Sequence, residues 1–190
     1  MSAGRGLSIA ILGADGSGKS TLVESVLADP PLGLDVRRVK VSVHAGREYP
    51  IRGLVWVVRT GRLLMLMVSA RLAVRRGAVL LWDRHPVEDS VLKPFGRQVL
   101  GARRGWLRWL VPPPDLLIVL DAPVELLESR RRPEEAPDGL QAMREAFLRL
   151  ADGHPSVVLD ASAQRESVRG QVVDVIGLLS GGHVDPSDRA

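Results

Sequence analysis

Short apolar runs alternate along this chain with segments of helical spacing. The strand-like runs cover residues 7–12, 34–43, 78–83, 115–121 and 156–159, and the run 34–43 alternates in part between apolar and polar residues. In the segments between them, apolar residues recur every three or four positions, as on one face of a helix. These helical segments are 21–27, 123–130, 140–150 and 168–179. The alternation is typical of an α/β protein, in which helices pack on a central sheet.

The most apolar segment, residues 53–76, differs from the others. It contains two apolar runs, which Arg59, Gly61 and Arg62 interrupt. A membrane-spanning helix needs about 20 nearly uninterrupted apolar residues. We therefore expect no membrane span here but one long or broken helix that is apolar around much of its surface. Such a helix must be covered on two sides, and we interpret its outer side as the interface of a homodimer.

A second apolar patch lies within residues 87–111, which we expect to be helical in pieces broken by prolines and glycines. The patch includes Trp106 and Trp109. We expect these tryptophans to lie in the core rather than on a surface that stacks nucleobases.

The first strand-like run leads into a glycine-rich motif. Residues 13–20 read G-x-x-x-x-G-K-S, the P-loop pattern, between a strand-like run and a helical segment. Glycines let backbone N–H groups point at phosphates, and the helix N-terminus adds the positive end of its dipole. Lys19 can then reach the β- and γ-phosphates, and the Ser20 hydroxyl can bind Mg²⁺. The predicted nucleotide-binding residues are Gly13, Ala14, Asp15, Gly16, Ser17, Gly18, Lys19, Ser20 and Thr21.

The strand-like run 78–83 ends in Asp83, and Arg84 follows it directly. An apolar strand that ends in an acid can bring its carboxylate to the Mg²⁺ shell or to an acceptor hydroxyl. The structural alternative is a cap on the next helix. We predict that Asp83 joins Ser20 at the metal. Arg84 offers a rigid fork of donors that suits an acceptor phosphate.

Further arginines extend the predicted phosphate site. Arg47 follows the second strand-like run, at the sheet edge where α/β proteins bind ligands. Arg97 follows the Asp83 loop, and both arginines are candidates to bind the acceptor. Among the three consecutive arginines at 130–132, Arg130 and Arg131 are candidates to stabilise charge on a transferring phosphoryl group. The alternative is a solvated basic turn paired with the two glutamates that follow.

Composition and charge narrow the function classes. With 190 residues, 45% hydrophobic and 25% charged, the chain is long enough for one domain with a sizeable core. We predict a single domain over 1–180 with an arginine-rich lid at about 129–138, followed by a disordered tail at 181–190. The net charge is +4, and the arginines are spread along the chain. That spread favours a local anion site over a nucleic-acid surface.

The chain contains no cysteine, which excludes disulfides and thiolate metal sites. This composition fits a reducing compartment. The first apolar run is too short for a signal peptide, and it ends in the glycine motif. We therefore expect a cytoplasmic protein.

Five features, in order along the chain, resemble the thymidylate kinase family of nucleoside monophosphate kinases. They are the loop GADGSGKST at 13–21, the triplet DRH at 83–85, the run 114–121 from PDL to its terminal acid, the arginines at 130–132 and the triplet DAS at 160–162. The similarity extends from residue 7 to about residue 179.

The resemblance implies a P-loop NTPase fold, a three-layer α/β sandwich whose five-stranded parallel sheet has helices on both faces. It also implies ATP, Mg²⁺, a homodimer and phosphoryl transfer to a nucleoside monophosphate. By the same resemblance, Asp15 and Arg84 lie at the acceptor, and one of the arginines 130–132 contacts the transferring group. Ala161 and Ser162 are implied to line the adenine pocket.

Two segments depart from the family pattern. Residues 44–48 read HAGRE where the family has a T-R-E-P-like loop, and residues 86–93 replace a serine-rich, A-Y-Q-like helix that meets the thymine base. We therefore expect an intact ATP half and an altered acceptor half. The first expectation for the acceptor is dTMP or a similar pyrimidine monophosphate, and the second is a sugar or another metabolite. An alternative of another class is a nucleotide-binding switch or ATPase that acts through a protein partner.

Overall fold

The computed structural model describes residues 6–41, 52–97, 99–100, 102–130 and 139–181. Within these residues the strands are β1 (Leu7–Gly13), β2 (Val36–Lys40), β3 (Val79–Asp83), β4 (Leu116–Asp121) and β5 (Ser156–Asp160). They pair in parallel in the order β2-β3-β1-β4-β5. This arrangement confirms the five-stranded parallel sheet. Each of the five predicted runs forms a strand, although β2 is shorter than the run 34–43.

Helices connect the strands. In chain order they are α1 (Lys19–Ala28), α2 (Arg52–Arg75), α3 (Asp89–Leu92), α4 (Val124–Ser129), α5 (Leu140–Asp152) and α6 (Arg165–Leu179). Short 3₁₀ segments at Pro86–Glu88, Lys93–Phe95 and Ala102–Leu110 fill the region that was predicted to be helical in pieces. Helix α1 begins at Lys19, two residues before the predicted start.

Two hydrophobic cores lie on opposite faces of the sheet, as a three-layer sandwich requires. One core joins side chains of α1 and α6 to β1 residues such as Ile9 and Ile11. The other joins α2, α3 and α5 to the opposite face, with Trp82 and Phe147 among its largest buried side chains. All seven residues of β1 are buried. The central strand is therefore covered on both faces, which explains its continuous apolar run.

The strand order places the glycine loop at the carboxyl end of the central strand. Because all the strands are parallel, their carboxyl ends share one edge of the sheet. Strand β1 lies between β3 and β4, with Ile11 opposite Asp83 and Gly13 opposite Leu120. The loop after β1 therefore opens between the ends of its two neighbours, at the point where the strand order reverses. Ligands bind at this point in open α/β sheets.

Helix α2 is apolar on two sides. Leu63 and Met67 face the core, whereas a second set of apolar side chains is exposed. We call this set the α2 outer face; it comprises Val57, Leu64, Met65, Val68 and Leu72. In the described part of the chain, no helix combines the length and apolar character needed to cross a bilayer.

The prediction that both tryptophans of the 106–111 patch lie in the core was wrong. Leu107 and Val111 are buried, but Trp106 is 52% and Trp109 72% exposed. The segment forms a 3₁₀ helix, in which residues three apart share a face. Both tryptophans therefore lie on the outer side. Trp109 lies beside α2, because the Arg71 side chain donates to its carbonyl at 3.4 Å.

Candidate active site

The glycine loop has a backbone that its residue types allow. Gly13 has a φ of 139°, and a Cβ there would lie 2.5 Å from the Leu120 carbonyl oxygen. Gly18 caps α1 in the left-handed region, with a φ of 90°. A larger residue at Gly13 would push β1 away from β4, and one at Gly18 would strain the turn into the helix. The motif therefore fixes the loop at the N-terminus of α1.

Lys19 is buried within the loop. Its ammonium group donates to the carbonyl oxygens of Gly13 at 2.8 Å and Ala14 at 3.0 Å. Burial lowers the pKa of Lys19, and the nearby carboxyls of Glu88 and Asp15 oppose that effect. The ammonium group is therefore held in one place before any phosphate arrives.

Asp83 contacts the loop through Ser20. The Ser20 hydroxyl lies 3.1 and 3.0 Å from the two carboxylate oxygens of Asp83 and donates its proton to them. The Ser20 oxygen keeps its lone pairs for another partner. The structure therefore brings together the two predicted metal ligands, which lie 63 positions apart in the sequence.

Two cations on β2 also contact Asp83, and the sequence reasoning missed both. Arg38 donates to one carboxylate oxygen of Asp83, and the Lys40 ammonium lies 3.5 Å from the same oxygen. Burial works to raise the pKa of Asp83, but Arg38, Ser20 and Lys40 outweigh it and hold the pKa below its usual value. In the sequence, Arg38 and Lys40 are visible only as polar positions that alternate along a strand. Their contact with Asp83 depends on β2 lying next to β3 in the sheet.

Asp15 lies among three cations on the other side of the loop. Its carboxylate is 3.5 Å from an Arg84 nitrogen and 3.8 Å from the Lys19 ammonium, and Arg97 donates to its second oxygen. Burial works to raise the pKa of Asp15, but Lys19, Arg97 and Arg84 together lower it. The structure thus brings together the three residues assigned to the acceptor that it describes: Asp15, Arg84 and Arg97.

The backbone at Arg84 is unusual. Its φ is 83°, which makes it the one non-glycine residue with a positive φ among those the structure describes. Such a conformation costs on the order of 1 kcal/mol or more and persists where the surroundings impose it. Here the turn after β3 aims the guanidinium toward Asp15.

A buried pair, His85 and Glu88, fixes that turn. The Glu88 carboxylate accepts from the His85 N–H at 2.9 Å, and His85 Nδ1 accepts from the Val87 N–H at 3.1 Å. Since Nδ1 accepts, Nε2 carries the proton and donates to the Pro112 carbonyl at 3.2 Å. Histidine is not a usual helix cap, so this reciprocal cap has no clear signal in the sequence.

Burial shifts both groups of this pair, in opposite directions. It raises the pKa of Glu88 from 4.5 to about 7, although Lys19 and Arg84 oppose the shift. It lowers the pKa of His85 from 6.5 to about 4. Between pH 4.5 and 6.5, both groups are therefore neutral in the folded protein and charged in the unfolded chain. Folding exchanges no net proton at this pair over that interval.

We expect the Glu88→Gln variant to gain a pH dependence that the parent lacks. With His85 alone, the unfolded chain binds the extra proton below pH 6.5, so stability should rise with pH from about 4 to 6.5 by up to about 3 kcal/mol. In the parent, Glu88 cancels this slope, and above pH 6.5 it lowers stability as pH rises through about 7. Urea unfolding between pH 4 and 8 measures the difference.

Glu128→Gln is the matched control for this experiment, because Glu128 is an exposed acid on α4. It should follow the parent at every pH. Parallel pH profiles for the parent and Glu88→Gln would contradict the opposite pKa shifts assigned to the buried pair.

A cleft of about 610 Å³ opens above the loop. Its lining comes from the glycine motif, the end of β3 and the segment around α6. The lining residues are Asp15, Gly16, Ser17, Gly18, Lys19, Ser20, Thr21, Leu22, Asp83, Arg84, Leu120, Arg130, Ala161, Ala163, Arg165 and Val168. Gly13 and Ala14 do not line the cleft; instead their carbonyl oxygens accept from the Lys19 ammonium.

The far end of the cleft lies near the turn after β5. Arg130 donates to the Ala161 carbonyl at 3.2 Å, which places its guanidinium beside the turn. Ala161 lines the cleft, whereas the Ser162 hydroxyl and N–H both donate to the Asp160 carboxylate. Arg165 also lines this end, and sequence reasoning did not single it out. Arg47 and Arg131 lie outside the described residues.

The central strand, glycine loop and helix, with Asp83 beside Ser20 and cations around Asp15, define a nucleotide-binding phosphotransferase of the P-loop class. Curated relatives bear this out. They include a thymidylate kinase of Thermomicrobium roseum, 32% identical over 85% of this chain and 83% of that protein. One of Cereibacter sphaeroides is 31% identical over 88% of this chain and 92% of that protein.

A probable thymidylate kinase of Pyrobaculum aerophilum is 29% identical over 88% of this chain and 95% of that protein. No family model matches the chain. The likeness to the relatives nevertheless covers nearly their whole length. The chain belongs to the thymidylate kinase family, and it is therefore a kinase that uses ATP.

Proposed function

We propose that this kinase transfers the γ-phosphoryl group of ATP to a nucleoside monophosphate, with dTMP as the first candidate acceptor. The observation that carries the proposal is the position of Arg84 and Arg97 around Asp15, next to Lys19 of the phosphate loop. Cations surround an anionic acceptor there, close to the loop that holds the donor. The names of the relatives supply the candidate acceptor.

In the proposed reaction, a phosphate oxygen of the acceptor forms a bond to the γ-phosphorus. The bond from that phosphorus to the β–γ bridging oxygen breaks, and ADP and a nucleoside diphosphate leave. Lys19 stabilises the charge that develops between the β- and γ-phosphates, and Arg84 orients the acceptor phosphate. The buried Ser17 hydroxyl has no hydrogen-bond partner within the described residues, so it can donate to a phosphate oxygen.

The donor set at Ser20 and Asp83 fits Mg²⁺. Mg²⁺ prefers oxygen ligands and is usually held by one or two protein groups together with phosphates and water. A hydroxyl and a carboxylate about 3 Å apart supply this set. In the described part of the chain, no cluster of three acidic, histidine or cysteine side chains offers a more complete cage. When bound, Mg²⁺ would neutralise phosphate charge.

The arginines at the start of the lid complete the proposal. Arg130 lies at the Ala161 end of the cleft, and its contact there supports a role beside the adenine as well as on the transferring group. We assign contact with the transferring phosphoryl group to Arg130 or Arg131, and contact with the acceptor to Arg47. Ala161 and Ser162 form the turn at the adenine end.

A coupled assay of ADP release tests the proposed acceptor. The panel should contain dTMP, the other nucleoside monophosphates, sugar phosphates and free sugars, each with ATP and Mg²⁺. We expect turnover with dTMP or another pyrimidine monophosphate well above the rate without acceptor. Turnover with a sugar and with no nucleoside monophosphate would show that the acceptor is a sugar rather than a nucleoside monophosphate. A rate that no acceptor changes would contradict the proposal.

We also propose that the chain is a homodimer that joins through the α2 outer face. Met65 is 74% exposed, and the other members of this face recur at helical spacing along α2. The exposed Trp109 lies next to the same helix. A continuous apolar strip of this kind on a globular protein marks an interaction surface, and a second copy can cover it with the same strip.

Met65→Glu should convert the dimer into a monomer, because it places a charge at the centre of the apolar strip. Light scattering coupled to size-exclusion chromatography measures the mass. Leu178→Glu is the matched control, since Leu178 is 75% exposed on α6, away from α2. It should leave the mass unchanged. A parent that is monomeric at micromolar concentration, or two variants that behave alike, would contradict this interface.

A further inference from the structure

Two cationic side chains of the edge strand β2, Arg38 and Lys40, contact Asp83. The Arg38 fork spans two acids, because one nitrogen donates to Glu24 at 3.0 Å and the other to Asp83. The Lys40 ammonium, two residues further along β2, lies 3.5 Å from the same Asp83 oxygen. The Asp83 side chain is almost fully buried, whereas Lys40 is half exposed. The proposed metal ligand is therefore already in contact with a protein cation.

Register explains this convergence. Lys40 lies opposite Asp83 in the β2–β3 pair, and Arg38 lies two positions earlier on the same face. That face packs toward α1, which carries Ser20 and Glu24. Arg37 points to the opposite face and pairs instead with Asp35 at 2.6 Å. The strand thus offers neighbouring arginines of which only one reaches the site.

We infer that Arg38 and Lys40 are positioning residues for the metal–nucleotide site, which hold Asp83 and supply fixed positive charge beside the phosphates. This inference rests on the proposed place of Asp83 at Mg²⁺. A carboxylate that is already paired repels an incoming polyphosphate less, so nucleotide can bind before metal. The same pairing competes with Mg²⁺ for the Asp83 oxygen. The two effects have opposite signs, and this distinguishes the inference from a merely structural role.

Loss of Arg38 should therefore change two binding constants in opposite directions. Without metal, an uncompensated Asp83 repels ADP, and affinity should fall by about tenfold. With ADP present, the freed carboxylate should bind the metal shell better, and the Mg²⁺ concentration for half effect should fall by a similar factor of about ten. A general loss of structure would instead weaken both.

Isothermal titration calorimetry of ADP, first in EDTA and then over a series of Mg²⁺ concentrations, measures both constants. The variants are Arg38→Met, Lys40→Met and the control Arg37→Met, which removes the same charge from the opposite face. We expect Arg38→Met and, more weakly, Lys40→Met to show the paired shifts. Arg37→Met should match the parent. Arg38→Lys keeps one charge and should restore part of the metal-free affinity.

The outcomes separate this inference from the proposed function. If Mg²⁺ does not change ADP binding in the parent, the proposed metal site at Asp83 fails. If it does, but Arg38→Met matches Arg37→Met in both constants, the inference is overturned. Equal weakening of both constants also overturns it, because that result indicates a structural role only. Should Arg38→Met not fold, Lys40→Met decides the matter in the same way, since its half-exposed side chain contributes little to packing.

Discussion

Replacement of Lys19 by methionine should lower kcat by on the order of a thousandfold, while KM for the acceptor changes little. The ammonium group is buried, and the Gly13 and Ala14 carbonyls hold it in place. A charge fixed in this way stabilises the transferring phosphoryl group more strongly in the transition state than in the bound substrate. Methionine keeps most of the aliphatic stem, so the effect reports on charge rather than packing. Steady-state kinetics with saturating ATP measure it.

Arg76→Met is the control, because Arg76 is an exposed basic residue outside the cleft. Its kcat should equal that of the parent. The Lys19 variant will also lose some stability, since two carbonyls lose their donor, at a cost of about 1–3 kcal/mol. Assays should therefore run well below the melting temperature of each variant. A loss in kcat of less than tenfold, in a folded variant, would contradict the assigned role of Lys19.

Replacement of Arg84 should act mainly on acceptor binding. Loss of a charge-assisted contact to phosphate costs about 2–3 kcal/mol, so kcat/KM for the acceptor should fall by about a hundredfold in Arg84→Ala. Most of the change should appear in KM, and KM for ATP should stay within a few fold. The difference from Lys19 arises because the loop carbonyls hold the Lys19 ammonium, whereas Arg84 follows β3 and lies with Arg97 around Asp15. Steady-state kinetics with the acceptor as varied substrate measure this.

The positive φ of Arg84 allows a second measurement on the same residue. Glycine adopts a φ of 83° without strain, whereas alanine does not. Arg84→Gly and Arg84→Ala should therefore lose acceptor binding equally, but the glycine variant should unfold with a free energy about 1 kcal/mol higher. Arg76→Ala, which changes an exposed arginine, should alter neither property. Equal stability of the glycine and alanine variants would show that the turn imposes no strain.

The ATP half of the site was largely readable in the sequence because its residues are contiguous. Residues 13–20 contain the flexible glycines, the lysine and the serine hydroxyl in one segment, so their spacing alone dictates that they share one loop. The inner strands β1, β3 and β4 were readable for a related reason: strands buried on both faces must be apolar throughout. The exposed tryptophans show the limit of such reasoning. Their place depended on whether the segment became an α-helix or a 3₁₀ helix, and local composition does not decide that.

Contacts between strands could not be read in the same way. The Arg38 and Lys40 contacts with Asp83 require β2 to be the neighbour of β3, and hydrophobic pattern predicts strands but not their order. The Arg97 contact with Asp15 likewise depends on how the 3₁₀ segments fold back over the loop. The sequence does not distinguish Glu88 from other acids near a helix start. Only its burial beside His85 raises its pKa to about 7.

By itself, the sequence determined the chemistry that lies within single segments: a phosphate loop, an acid at the end of a buried strand and a family likeness that relatives confirm. The tertiary structure alone decided which charges face each other. The physical reason is that a backbone motif is set by local φ and ψ preferences, whereas the partner of a charged side chain is set by sheet order and packing between residues far apart in the chain. Asp83 illustrates both levels: its place at the strand end is local, and its three partners are not.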